Sequence, residues 1–231
     1  FSGMFGMNRL DNNWILTGEL NLQMENYFKS AERGEFFWRR IDSLSQTIKI
    51  GAILPHPFGW RTGVDLDYQH EIFRGLYASI ENRYLLSTYF PLIGTTGFGY
   101  VTGKTTPTLI GKENGYEKTS YYAFSLFSKK ENVNDRYLPT SGNILKINAD
   151  GGLDGKTVFL NNGIKLLKIG PINRNIFYKI SYNATGILYK GANVPKSRYH
   201  RFGGSSTLRG YDEQYFSATQ FQISSFELGY D

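Results

Sequence analysis

Leu16-Thr17-Gly18-Glu19-Leu20-Asn21-Leu22-Gln23-Met24-Glu25 alternates almost without error between two kinds of residue. Leu16, Gly18, Leu20, Leu22 and Met24 fall on one face, and Thr17, Glu19, Asn21, Gln23 and Glu25 on the other. A period of two is that of a pleated strand; an amphipathic helix would group its apolar residues at i, i+3 and i+4. The pattern recurs along the chain. Val64, Leu66 and Tyr68 alternate with Asp65, Asp67 and Gln69, and Leu76, Ala78, Ile80 and Tyr84 oppose Tyr77, Ser79, Glu81 and Arg83. Ile176, Tyr178, Ile180, Tyr182 and Ala184 oppose Phe177, Lys179, Ser181, Asn183 and Thr185.

These alternating runs often reach ten residues or more, against a mode of about five or six in globular proteins. Strands of about 9–11 residues are what a tilted crossing of a bilayer requires. The polar faces carry full charges, so they must meet water. The sequence therefore predicts an all-β, antiparallel transmembrane β-barrel, with Leu20, Leu22, Met24, Leu66 and Ile180 toward lipid and Glu19, Glu25, Asp65 and Asp67 toward the lumen. A soluble β-sandwich is the competing reading. Aromatic residues placed near expected strand ends, such as Tyr27-Phe28, Phe36-Phe37-Trp38, Tyr89-Phe90 and Tyr121-Tyr122, favour the barrel, because aromatic belts form at membrane interfaces.

Composition agrees. The 231 residues include 26 Gly, 17 Phe and 17 Tyr but only 7 Pro and no Cys, which suits strands joined by many turns and excludes disulfide and thiolate chemistry. No apolar run reaches the ~18 residues of a membrane helix. The mean hydropathy of −0.37 does not argue against a barrel, because only every second strand residue faces lipid. The net charge of +6 comes from scattered Lys and Arg rather than a dense stripe. It points to anionic lipid or lipopolysaccharide head groups and not to nucleic acid. No signal peptide is visible at Phe1-Ser2-Gly3-Met4, so an export signal is expected upstream.

Turn-like clusters divide the chain into about twelve strands. They include Leu10-Asp11-Asn12-Asn13, Pro55-His56-Pro57-Phe58-Gly59, Gly111-Lys112-Glu113-Asn114-Gly115, Leu153-Asp154-Gly155 and Asn161-Asn162-Gly163. With no linker, low-complexity block or charge run, residues 1–231 read as one barrel domain.

Arg201-Phe202-Gly203-Gly204-Ser205-Ser206-Thr207-Leu208-Arg209-Gly210-Tyr211 presents a cation, Arg209 between Leu208 and Gly210-Tyr211, on a glycine-rich loop. It resembles the signature loop of the BamA/TamA/FhaC superfamily of outer-membrane barrels. Two further stretches resemble that superfamily in its order. Thr17 to Phe28 is similar to an early strand ending in Asn-x-Phe, and Asp135-Arg136-Tyr137-Leu138-Pro139-Thr140-Ser141-Gly142 to an Arg-x-x-Pro-Thr-x-Gly hairpin turn. The pattern is nearest to short Bacteroidetes-type members. The resemblance implies a barrel of about sixteen strands, of which this chain carries about twelve. It also implies POTRA domains before the barrel and closing strands after it, so the chain is expected to be part of a longer protein. The implied site is Phe202, Gly203, Gly204, Leu208, Arg209, Gly210 and Tyr211, with Glu227 as an acidic partner of Arg209 inside the lumen. Arg136, Pro139, Thr140 and Gly142 form the implied turn motif. In this chain Leu228-Gly229-Tyr230 follows Glu227 where the family pattern continues differently.

No catalytic or cofactor pattern emerges. His56, His70 and His200 lack metal-ligand spacing, and Ser205-Ser206 is not a nucleophile elbow. A lipase built from separate strands stays open as a minor alternative. Gly94 and Gly97-Phe98-Gly99 precede no Gly-Lys-Ser/Thr and read as strand glycines. The resemblance implies an assembly or insertion factor acting on unfolded β-barrel clients, with accessory lipoproteins as further partners. A polypeptide translocator of the FhaC type and a diffusion porin are the alternatives.

Overall fold

The structure is a computed structural model describing residues 2–10, 13–27, 29–40, 42–135, 139–173, 175–204 and 207–230. Its strands are β1 (Ser2–Leu10), β2 (Asn13–Glu25), β3 (Arg33–Arg40), β4 (Gln46–Leu54), β5 (Gly63–Phe73), β6 (Tyr77–Phe90), β7 (Gly94–Pro107), β8 (Thr119–Val133), β9 (Gly142–Asp154), β10 (Thr157–Pro171), β11 (Ile176–Tyr189), β12 (His200–Phe202), β13 (Phe216–Ala218) and β14 (Gln220–Tyr230). One helical turn, α1 (Leu109–Glu113), lies between β7 and β8. Among the described residues, twelve strands make one antiparallel sheet in the order β1 to β11, then β14. Each strand pairs with its sequence neighbour, apart from the small hairpin β12–β13, which lies between β11 and β14 in sequence. Among the described residues β1 and β14 form the two ends of the sheet and do not pair with each other.

Register carries the alternation from strand to strand. Gln23 opposes Glu35, Glu35 opposes Gly51, Gly51 opposes Asp67 and Asp67 opposes Arg83, so the polar residues form continuous rows on one face. That face is concave. Arg83 on β6 meets Asp150 on β9 at 2.8 Å, across three strand spacings. On a flat sheet those strands would stand about 14 Å apart, beyond the combined reach of the two side chains. Asp150, 2% exposed, also accepts from Ser125 Oγ at 2.6 Å and Asn161 Nδ2 at 3.4 Å, and Arg83 Nε bonds Glu81 at 2.8 Å. Tyr121 donates to the other Glu81 oxygen. The network stitches β6, β8, β9 and β10 from inside and leaves Asp150 fully paired, which an ion taken from water requires. Tyr121 lies flat over Gly103, where any Cβ would collide with its ring. A small apolar cluster of Val101, Tyr121, Ala123, Phe159 and Ile187 completes this side.

The opposite, convex face is apolar and open. Leu66, Ile80, Tyr84, Leu86, Phe98, Tyr100, Phe124, Leu126, Leu160 and Ile180 all stand exposed on it. Leu20, Leu22 and Met24 share that face by register, and Glu19, Glu25, Asp65 and Asp67 lie on the concave one. Glu19 approaches Arg39 at 4.0 Å, and Glu25 binds Arg33 at 3.0 Å. So wide an apolar surface on an isolated domain fits contact with hydrocarbon.

Three local expectations change. Asn161-Asn162-Gly163 is the middle of β10, not a turn: it pairs on both sides, and Asn161 reaches inward to Asp150. Phe36-Phe37-Trp38 lies inside β3, with Phe37 on the concave face beside Lys49 and Arg39, and Tyr121 also points inward. These two rings serve inner packing rather than an interface belt. The segment 111–115 is partly helical, capped by Thr108 Oγ1 accepting from the Gly111 N–H at 3.0 Å. Asp11, Asn12 and Phe28 lie outside the described residues.

The two faces make opposite demands on a charge. Tyr84→Arg, central on the convex side of β6, should cost about 2–4 kcal/mol in urea unfolding from lipid vesicles. Gln69→Arg, set on the concave face between Asp67 and Glu71, should change stability by less than about 1 kcal/mol.

Candidate functional site

Residues 190–219 connect β11 to β14, a longer excursion than strand connections usually need. The excursion does not stand away from the sheet. It crosses the concave face and touches walls on both sides. Arg198 lies 3.6 Å over the Tyr121 ring and 4.9 Å from that of Phe159, on β8 and β10. Arg201, on β12, binds Glu71 of β5 at 2.5 Å and sits 4.1 Å above the Phe73 ring. Side chains of Arg201 and Glu71 are 17% and 9% exposed, so this is a partly dry pair whose partners depend on each other. Lys196 reaches the Asn114 carbonyl beside α1 at 2.9 Å. Of these three residues only Arg201 belongs to the glycine-rich run, as its first residue. Nothing in the chain marks Glu71 or Tyr121 as partners of Arg201 and Arg198, and only the curl of the sheet brings them beneath.

The motif forms the tip. Phe202 closes the β12–β13 hairpin by stacking on Phe216, with ring centroids 5.4 Å apart, and leans on Phe221 at 4.5 Å. Gly203 and Gly204 have φ of 124° and 91°, in the region that side-chain-bearing residues avoid. A Cβ on Gly203 would stand 2.7 Å from the Asp212 carbonyl oxygen, and one on Gly204 would strike the Glu213 carboxylate. The Gly203 N–H donates to Thr207 Oγ1 at 2.8 Å, and Gly204 bridges to Leu208, closing a tight turn. Ser205 and Ser206 lie outside the described residues. Gly210, with φ of 92°, turns the chain again, and Tyr211 packs edge-on against Phe216 at 4.9 Å.

Arg209 projects from this tip to Glu227 at 3.2 Å, and Lys179 approaches the same oxygen at 3.7 Å. Glu227 lies seven residues beyond Gln220 on β14, roughly 24 Å along the wall from where the excursion rejoins the sheet. The tip therefore descends deep into the concavity. The Arg209 side chain is 73% exposed, so this pair is far weaker than the one at Arg201.

The second motif joins β8 to β9. Arg136, Tyr137 and Leu138 lie outside the described residues. Around them, Asn134 Oδ1 accepts from the Thr140 and Ser141 N–H groups at 3.1 and 2.9 Å, and its Nδ2 donates to Thr140 Oγ1 at 2.9 Å. Gly142 opens β9 with φ of 128°, its backbone against the Asn132 carbonyl. The sequence reading named Pro139, Thr140 and Gly142 but missed Asn134. An Asn at the end of a strand before a turn is a signal it could have used.

His200 faces Thr185 Oγ1 at 3.2 Å and the edge of Phe221. Burial, aided by Arg198, holds its pKa below the usual 6.5. A depressed imidazole pKa means that the folded loop binds fewer protons than the released one. Its contribution is full above pH 6.5 and declines as pH falls below it. The protection of residues 196–202 against hydrogen exchange, corrected for the intrinsic exchange rate, should fall as pH drops below 6.5, and His200→Gln should flatten that dependence. Arg201→Ala should release the same segment at neutral pH, at a cost of about 3–5 kcal/mol. Adding Glu71→Ala should recover part of that loss in a double-mutant cycle.

A family profile described as the Omp85 superfamily domain matches residues 5–228. No curated protein sequence matches the chain. Among solved structures, the fold is similar to that of BamA from Haemophilus ducreyi lacking POTRA domains 1–3, with a TM-score of 0.60 at 14% identity. The match covers 92% of this chain and 51% of that one, so the chain spans about half the length of that structure. With a profile match across nearly its whole length and a curled antiparallel sheet of the same fold, the chain belongs to the Omp85 superfamily.

Proposed function

We propose that this chain is the barrel of an outer-membrane assembly factor that helps unfolded β-barrel polypeptides insert, with no bond chemistry of its own. The observation that carries the reading is the match to the Omp85 superfamily domain along residues 5–228, on a curled antiparallel sheet with one polar and one apolar face. In this reading the seam of the closed barrel offers unpaired N–H and C=O groups to an incoming strand, which is β-augmentation. Lipid, lipopolysaccharide and accessory lipoproteins would be the surrounding partners. Polypeptide translocation of the FhaC type is the second reading. A diffusion porin fits less well, because the β11–β14 excursion crosses the lumen from β10 to β5.

In this reading Arg209 keeps the loop tip against the inner wall through Glu227, and Gly203, Gly204 and Gly210 permit its path. Arg209→Ala removes an exposed pair and should lower stability by no more than about 1 kcal/mol. The barrel should remain in the membrane while client assembly falls. The full-length protein reconstituted in vesicles with an unfolded barrel client supplies the measurement, read as folded client against time. Full activity of Arg209→Ala would refute the role.

Depletion in cells separates the two functional readings. Loss of many outer-membrane barrels supports assembly. Loss of one secreted polypeptide with barrel levels intact supports translocation and overturns the assembly proposal.

A further inference from the structure

Lys129, Lys146 and Lys165 oppose one another directly across β8, β9 and β10, all on the concave face. Like charges placed opposite on neighbouring strands destabilise a sheet unless anions compensate. Glu131 serves two of the three, at 3.1 Å to Lys129 and 2.8 Å to Lys146. Lys165 is exposed and makes no ion pair among the described residues. Beyond it, Lys179 and Arg209 share the single carboxylate of Glu227. Among the described residues, five cations thus meet Glu131 and Glu227 along one strip from β8 to β14, with Asp65 of β5 also within electrostatic reach of Lys129. Lys165, Lys179, Arg209 and Glu227 line a cleft of about 440 Å³ between the wall and the loop tip.

We propose that this strip binds an acidic polypeptide segment that enters the barrel from the end bearing the β8–β9 and β10–β11 turns. The strip lies in the half of the concave face nearest those turns: Lys129 is close to the end of β8, and Lys179 close to the start of β11. Three strand spacings spread the cations over about 14 Å. A single phosphate cannot span that distance, whereas successive Asp or Glu side chains on an extended segment can. A lipid head group is disfavoured by position, because acyl chains belong on the apolar convex face, on the other side of the sheet. The uncompensated positive charge raises the local concentration of an anionic segment, and binding relieves repulsion built into the lysine row.

The test uses the protein in detergent micelles and a fluorescein-labelled peptide of alternating Glu and Ser, followed by fluorescence anisotropy. The peptide should bind, and affinity should fall steeply as salt rises from about 50 to about 500 mM. K129Q/K146Q/K165Q should weaken binding at least about tenfold. K165Q alone, which breaks no ion pair among the described residues, should melt no lower than the parent and still weaken binding, so lost binding is not lost folding. A peptide of alternating Lys and Ser should not bind. Equal affinity of parent and variant, displacement of the peptide by inorganic phosphate at equal charge concentration, or displacement by short-chain phosphatidylglycerol would each overturn the proposal.

Discussion

A strand surrounded by hydrocarbon has no water to satisfy its N–H and C=O groups, so its only partners are the strands beside it. That constraint accounts for the topology. Twelve strands follow one another in an antiparallel order in which each new strand pairs with the last, and the single break in sequence order, from β11 to β14, occurs where the chain turns inward. The same continuity makes side-chain parity hold across the sheet. One residue of slip anywhere would drive Glu19, Asp67 or Arg83 into the apolar face, so the register is strongly determined.

Curvature then brings distant polar residues into contact. Arg83 and Asp150 stand 67 positions apart in sequence and meet because the sheet curls. Their bond, with Ser125, Asn161, Glu81 and Tyr121 around it, ties the curl from within. The concave face separates into regions of different chemistry. Around Tyr121 and Phe159 it is aromatic and receives Arg198, around Glu71 it is acidic and receives Arg201, and along Lys129, Lys146 and Lys165 it is cationic.

The loop between β11 and β14 combines firm and loose attachments. Arg198 and Arg201 hold its base through buried, ring-backed contacts, whereas Arg209 holds its tip through an exposed pair on Glu227. The three positive-φ glycines of the tip preserve a backbone path that a side chain would block at Gly203 and Gly204.

Alternation such as Leu16–Glu25 determined the strands, their two faces and the antiparallel barrel class, because the period of two is written residue by residue in the chain. The glycine-rich run through Arg209 drew notice to the loop whose tip contacts Glu227 through a resemblance carried by local motif. Tertiary structure decided the rest. Asn161-Asn162-Gly163 reads as a turn in isolation, yet pairing with β9 and β11 makes it strand, since ladder hydrogen bonds on both sides outweigh local turn preference. Phe37 and Tyr121 read as interface aromatics, but parity turned them inward. The anchoring of the loop base was invisible in the chain, because Arg201 and Glu71 lie 130 positions apart and nothing local marks Glu71 as a partner. Only the curl of the sheet, a property of all its strands together, places the carboxylate under the guanidinium.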